Sequence, residues 1–215
     1  QLMQEQRERA RNARKNAGAD AWAGENDVLA DVPPTEFLGY EKSQTEATVL
    51  AILKDGERVD HATAGDQIAL VLDRTTFYAE SGGQVGDCGV LLAEGVAAEV
   101  DEVHKAPHGQ PLHHVIVTQG ALHVGDELQL HVDPKKRAQT TANHSCTHLL
   151  QSALKQVIGT HIAQAGSYNC PDYLRFDFTH YEKISEEQLM EIEALVNRYI
   201  TQGYAVTKEE LPIEE

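Results

Sequence analysis

Asn143-His144-Ser145-Cys146-Thr147-His148-Leu149-Leu150 is the stretch on which the reading of this chain turns. It lies in a longer segment of helical periodicity and places two histidines four residues apart. Histidines at i and i+4 stand one above the other, about one turn apart, on one side of an α-helix. Two neutral imidazoles so placed can hold one transition metal ion, usually zinc, and leave its other positions for further ligands or water. The apolar stripe of the same helix runs through Cys146, Leu149, Leu150, Ala153, Leu154 and Val157. At about 100° per residue it lies opposite a face carrying Arg137, Thr140, Thr141, His144, His148, Gln151 and Lys155. Both histidines are therefore expected on the side away from the core, either as metal ligands or as ordinary solvent-facing residues. Cys146 turns with the core and is not counted as a third ligand. Gly159 is placed to stop the helix.

After this helix, expected over 135–158, residues 160–167 suit an extended segment and a turn. Residues 172–178 alternate: Leu174, Phe176 and Phe178 face a core, while Arg175 and Asp177 point the other way, as on a strand covered on one side. Ser185 and Gln188 form a capping box. The helix it opens is expected to bury Leu189, Ile192, Leu195, Val196, Tyr199 and Ile200 and to stop at Gly203, with a last strand expected over 205–210. Helices against a sheet make this half α+β.

Before the histidine helix the pattern is β. Segments 47–53, 67–72, 76–79, 88–93, 96–103, 112–118 and 127–132 read as short strands, separated by Asp55-Gly56, Gly65-Asp66, Gly82-Gly83, Gly95, Gly109 and Gly125-Asp126. Strands at such spacing predict an antiparallel barrel or sandwich. His104, His108, His113, His114, His123 and His131 show no ligand spacing and are expected to be surface or strand residues. The loop Phe77-Tyr78-Ala79-Glu80-Ser81-Gly82-Gly83-Gln84-Val85-Gly86-Asp87 has two readings. Its paired glycines suit a hairpin turn, or a close backbone approach to a ligand. Residues 1–16 read as an exposed helix, and 17–36 as a linker with a short helical piece around Trp22.

Composition narrows the function classes. The chain has 215 residues, of which 41% are hydrophobic and 24% charged, ordinary for a globular protein with a real core. No apolar run is long enough to span a bilayer, so no membrane partner is expected. Cys88, Cys146 and Cys170 are odd in number and unpatterned, which points to a reducing, cytoplasmic setting. The start lacks a secretory signal and an initiator Met, so the chain is expected to be a fragment. A net charge of −16 opposes non-specific nucleic-acid binding: DNA is not expected, and any RNA contact must be local.

Taken together and in order, these stretches resemble the editing region of alanyl-tRNA synthetase, and the related freestanding AlaX trans-editing proteins. Glu36-Phe37-Leu38-Gly39-Tyr40 is similar to the opening of that family's editing barrel, Phe77 to Asp87 to its glycine-rich motif, and Asn143 to Leu150 to its HxxxH motif, with Ser145 and Cys146 in place of Thr and Ala. Gln164-Ala165-Gly166-Ser167, Pro171 to Phe178 and Glu210 to Glu215 match three further segments.

The resemblance implies an α+β protein: a linker helix and connector over 1–36, a β-barrel editing subdomain over 37–134, and an α+β zinc-binding editing core over 135–215. It implies hydrolysis of serine or glycine wrongly esterified to tRNA(Ala), because a pocket for a small side chain discriminates weakly. His144 and His148 would be two zinc ligands, the others coming from a later CxxxH motif expected beyond residue 215. Thr147, Gln164 and Gln84 would act at the reacting ester. Gly82, Gly83, Arg175 and Asp177 would bind or support the substrate. The partners implied are the acceptor end of tRNA(Ala) and the rest of a synthetase chain. ATP and Mg2+ would serve only an aminoacylation domain that this chain does not contain. A non-catalytic tRNA-docking or interdomain fragment, and a freestanding deacylase, are the rival readings.

Overall fold

A computed structural model describes residues 28–205 and 207. The expected helix over 1–16, the piece around Trp22 and the Glu210 to Glu215 stretch lie outside them, as does most of the expected strand over 205–210. Ala205 and Thr207 have no regular structure. The chain divides into two compact units, residues 1–137 and 138–215.

The first unit is built from β1 (Glu36–Phe37), β2 (Gln44–Lys54), β3 (Glu57–Val59), β4 (His61–Thr63), β5 (Gln67–Leu72), β6 (Arg74–Thr75), β7 (Gly89–Ala93), β8 (Val96–Lys105), β9 (Pro111–Gln119), β10 (Ala121–His123) and β11 (Glu127–Val132). The sheet runs β11-β7-β8-β9-β5-β2, and β11 also pairs with β2, so six antiparallel strands close on themselves. Closure leaves the barrel no unpaired edge. Alternation on β9 and β11, and on β8 with one interruption after Val100, sends Val100, Val103, Val115, Val117, Leu128 and Leu130 inward. Strand β5 does not alternate, because Ile68 to Leu72 is buried on both faces. Outside it, Leu29 and Val32 pack with Ala51, Leu53, Ala69 and Val71. Gln110 Nε2 donates to the Val32 carbonyl at 3.1 Å, and Arg58 Nη1 to both oxygens of Asp31. These bonds hold the covering segment in place.

One expectation fails in this unit. Residues 76–79 are not a strand. Two of their backbone N–H groups are taken by side chains, not by a ladder: Phe77 N donates to Thr75 Oγ1 at 3.1 Å and Tyr78 N to Asp87 Oδ2 at 2.6 Å. His113 is a strand residue, as expected, but it is fully buried. Its Nδ1 donates to the Leu70 carbonyl at 3.1 Å, so Nε2 is the acceptor for the Thr75 hydroxyl at 2.8 Å. Its ring meets Phe77 edge to face. Burial pushes its pKa down to about 4, so it is a neutral core residue at pH 7.

Helix α1 (Pro134–Val157) starts in the first unit and continues into the second. Asp133 caps it: Oδ1 accepts from the backbone N–H of Lys135 and of Lys136, both at 2.9 Å. Pro134 occupies the first helical position, where its missing N–H costs nothing. The second unit adds the hairpin β12 (Gln164–Asn169) and β13 (Leu174–Phe178), then α2 (Glu186–Gln202). The capping box of Ser185 and Gln188 forms as expected, and Gly203 ends α2 in the left-handed conformation. Ala153, Leu154, Ile162, Ile192 and Leu195 form the core, flanked by Phe176 and Phe178. Three expectations about faces are corrected here. Leu189 and Ile200 are more than half exposed, because they flank the narrower stripe of Ile192, Leu195, Val196 and Tyr199 that meets the core. Thr140, read as part of the polar face of α1, is buried together with Thr147. The two are seven residues apart and so share one side of the helix. No helix among the described residues is long and apolar enough to cross a membrane.

Candidate functional site

The glycine-rich loop belongs to the first unit. Ser81 and Gln84 exchange backbone hydrogen bonds of 3.1 and 3.0 Å. Between them Gly82 and Gly83 hold φ of 61° and 82°, the double positive φ of a type I′ turn that side chains other than Gly, Asn and Asp resist. The turn reading of these glycines therefore holds. Above Gly82 the space is open. Gln84 is buried beside the turn. The loop is anchored at its far end by Asp87, itself buried. Arg137 Nε lies 2.8 and 3.0 Å from its two carboxylate oxygens, and Nη2 also contacts Oδ2. The same guanidinium donates to the carbonyls of Gly39 (2.8 Å) and Thr76 (2.7 Å). A planar fork of donors suits this task as a lysine could not. Helical periodicity alone puts Arg137 on the polar face of α1 and assigns it nothing more. An arginine in the first turn of the helix, with an aspartate closing a glycine loop fifty residues earlier, was the available clue.

The histidine pair belongs to the second unit. His144 and His148 stack on α1, with ring centroids 5.3 Å apart and planes 19° off parallel. His144 is half-buried, and burial, then the neighbouring His148, hold its pKa below the ordinary value. A neutral imidazole is the form that ligates a metal. His148 is exposed. Among the described residues no third His, Cys, Asp or Glu closes on the pair. Among the described residues the donors thus fit two positions of a zinc-type site. Cys146 stays out of it, its thiol pushed up by burial.

Thr147 is buried between the histidines in sequence but faces the hairpin. Its Oγ1 lies 3.0 Å from the Asn143 carbonyl and 2.6 Å from Oδ1 of Asn169. One hydroxyl proton serves one acceptor. The Asn169 contact is the shorter, so the hydroxyl donates there, and Asn169 Nδ2 is buried with no acceptor against it among the described residues. Asn143 Nδ2 in turn donates to the Cys170 carbonyl at 2.7 Å. Asn143, Thr147 and Asn169 therefore clasp α1 to the hairpin, and Asn169 was not singled out from sequence. Gln164 is exposed on β12, its amide 3.3 Å from Ser167 Oγ. Arg175 and Asp177 share the exposed face of β13 and pair at 3.2 Å. At that exposure the pair adds little stability.

The family model described as tRNA synthetases class II (A) matches residues 1–136. Among curated proteins, the alanine–tRNA ligase of Geobacillus thermodenitrificans is 44% identical over 214 residues, 99% of this chain and 24% of that protein. The alanine–tRNA ligase of Caldicellulosiruptor saccharolyticus is 45% identical over 207 residues, 96% of this chain and again 24% of its own length. That of Bacillus cereus is 44% identical over 214 residues. This chain thus spans about a quarter of the length of the relatives it matches. With the family's own pattern running through more than half of its residues, the chain belongs to the class II tRNA synthetases (A).

Proposed function

We propose that this chain is the editing part of an alanine–tRNA ligase and hydrolyses serine or glycine wrongly attached to tRNA(Ala). The observation that carries the reading is the stacked His144–His148 pair on α1, His148 exposed and His144 half-buried, in a chain similar over 99% of its length to alanine–tRNA ligases. Its parts would be a connector over 1–36, an editing barrel over 37–134 and an editing core over 135–215. Its partners would be the tRNA acceptor end and the remainder of a synthetase chain, in the cytoplasm. The parent enzyme would attach alanine to tRNA using ATP and Mg2+.

In the reaction, water adds across the ester: its oxygen joins the carbonyl carbon and its proton goes to the ribose oxygen that leaves. Zinc held by His144 and His148, with ligands from beyond the described residues or water, would supply Lewis-acid polarisation or orientation of the reactants. Thr147, held by Asn143 and Asn169, fixes the helix face that carries both histidines. Gln164 offers amide donor and acceptor groups at an exposed edge of β12 and would read the serine hydroxyl, a contact that alanine leaves unmade. Gly82, Gly83 and Gln84 would present backbone and amide donors to the terminal nucleotide. Arg175 and Asp177 would border the substrate.

The test is deacylation of Ser-tRNA(Ala) by the wild-type chain and by Thr147→Val, Gln164→Ala and H144A/H148A variants, with circular dichroism to confirm folding. The double histidine variant is expected to lose at least a hundredfold in rate. Unchanged rates in all three would overturn the reading. That the pair gathers only two donors among the described residues favours one alternative, a tRNA-docking module without catalysis. It predicts tRNA binding by wild type with no ester cleavage.

A further inference from the structure

Three side chains on the outer wall of the barrel, far from the histidine helix in sequence, converge with metal-ligand chemistry. Glu102 and His104 lie on β8, and His114 lies on β9. A β-bulge brings them together. The β8–β9 register shifts between Val100 and Glu102, making Asp101 the extra residue. Without it, strict alternation from the inward-facing Val100 would turn Glu102 inward and Val103 outward. With it, Val103 is fully buried and Glu102 turns out, directly opposite His114. Such re-aiming of a side chain is what a bulge does to a strand. His104, two residues on, shares the outward face.

The resulting distances suit one ion. One donor atom each from Glu102, His104 and His114 lies within 4.8 Å of the others. His104 Nε2 is 3.2 Å from Glu102 Oε1, against about 3.4 Å between ligands on a tetrahedral zinc ion. The His104 and His114 rings stand edge to face, with centroids 5.3 Å apart. The outer nitrogen of His104 is also engaged: Nδ1 is 3.3 Å from Glu80 Oε2. A carboxylate on the far nitrogen of a ligating histidine fixes its tautomer and ring orientation, the usual outer support of a metal site. Asp101, Glu102 and His114 also line a cavity of about 430 Å³ on this wall, which gives an ion and its water a way in. We propose that Glu102, His104 and His114 bind a divalent transition metal ion of the zinc class, supported by Glu80 behind His104.

The site has a structural consequence. Glu80 belongs to the glycine-rich loop, and its backbone N–H already donates to the Val103 carbonyl at 2.7 Å. An ion on the β8–β9 pair would pull on that loop through His104 and tie the Ser81–Gln84 turn to the barrel wall. The set of two imidazoles and one carboxylate leaves a fourth position open to water or an anionic ligand.

The test uses the chain carrying H144A/H148A, which removes the helix pair, stripped of metal by a chelator and dialysed. Zn2+ is titrated calorimetrically, and Co2+ by its visible absorption bands. One equivalent of each metal is expected, with the intense bands of four-coordinate Co2+. Adding His104→Gln or His114→Gln should weaken binding at least a hundredfold, and Glu80→Gln about tenfold. Circular dichroism checks that each variant keeps its strands. No metal bound by the H144A/H148A chain, or binding indifferent to both His104→Gln and His114→Gln, overturns the proposal. It stands apart from the editing reading: zinc bound by wild type but lost entirely in H144A/H148A would defeat the barrel site and leave the helix site standing.

Discussion

The barrel and the second unit solve the problem of a polar group indoors in different ways. In the barrel, each strand is paired on both sides, and buried polar residues such as His113 and Asp87 are locked by several bonds apiece. The second unit has a smaller buried apolar set and a two-stranded hairpin, and its outer surface keeps Tyr173, Tyr181, Leu189, Met190, Ile200 and Tyr204 exposed. The difference teaches where rigidity comes from. The glycine loop is held by a closed ladder and an ion pair, whereas the histidine pair rides on a helix clasped by three polar side chains. Local opening is expected to be easier in the second unit, since fewer buried contacts resist it.

The strongest way to break the comparison is at Arg137. Its guanidinium serves Asp87, Gly39 and Thr76. Removing it leaves a buried carboxylate without its cation, with the Tyr78 N–H still donating to it, and takes a donor from two carbonyls. Arg137→Ala is expected to cost the first unit about 3–5 kcal/mol, read as a lower urea midpoint by circular dichroism. A loss under about 1 kcal/mol, the scale of an exposed pair, would mean that the barrel does not depend on this anchor.

The next largest effect is a pH dependence set by His113. Its pKa is lowered from 6.5 to about 4 by burial. Between those values the unfolded chain binds a proton that the folded chain refuses, so the unfolded state gains as pH falls. Stability from this residue is full above about pH 6.5 and is lost progressively down to about pH 4. The difference of about 2.5 units corresponds to about 3 kcal/mol. Denaturant melts at pH 7 and pH 4.5, run in chelator, should show most of that loss in wild type and a flatter profile in His113→Gln. Equal slopes would mean that other groups dominate the acid response.

His113 also marks the limit of what the sequence discloses. Helix α1, the β13 alternation and the capping box of α2 were legible because each is written at the period of its own element, and the barrel strands because turn residues punctuate them. What the sequence leaves unread shares a cause, which is a partner distant in sequence. Residues 76–79 carry strand-like side chains, yet Tyr78 is captured by Asp87 nine residues on. His113 faces inward and finds Leu70 and Thr75, which no local pattern announces. The meeting of Glu102 with His114 depends on a single bulged residue, Asp101, and alternation counted along β8 gives the opposite face. In the candidate site, the histidines were found by spacing alone, but Asn169 became visible only once the hairpin lay against α1.

The smallest expected effect sharpens the comparison most finely, because it contrasts two leucines on one helix. Leu195 is 7% exposed and Leu189 is 52% exposed, although both were read from sequence as core. Leu195→Ala removes buried methyl groups from a small core and should cost about 2–5 kcal/mol. Leu189→Gln keeps the side chain's length, suits a helix nearly as well as leucine, and removes little that is buried. Its effect should stay within about 0.5 kcal/mol, measured by chemical denaturation of the same chain. A loss at Leu189 approaching that at Leu195 would mean that this side of α2 is covered in solution, and the contrast between a well-filled barrel and a sparsely filled second unit would then have to be redrawn.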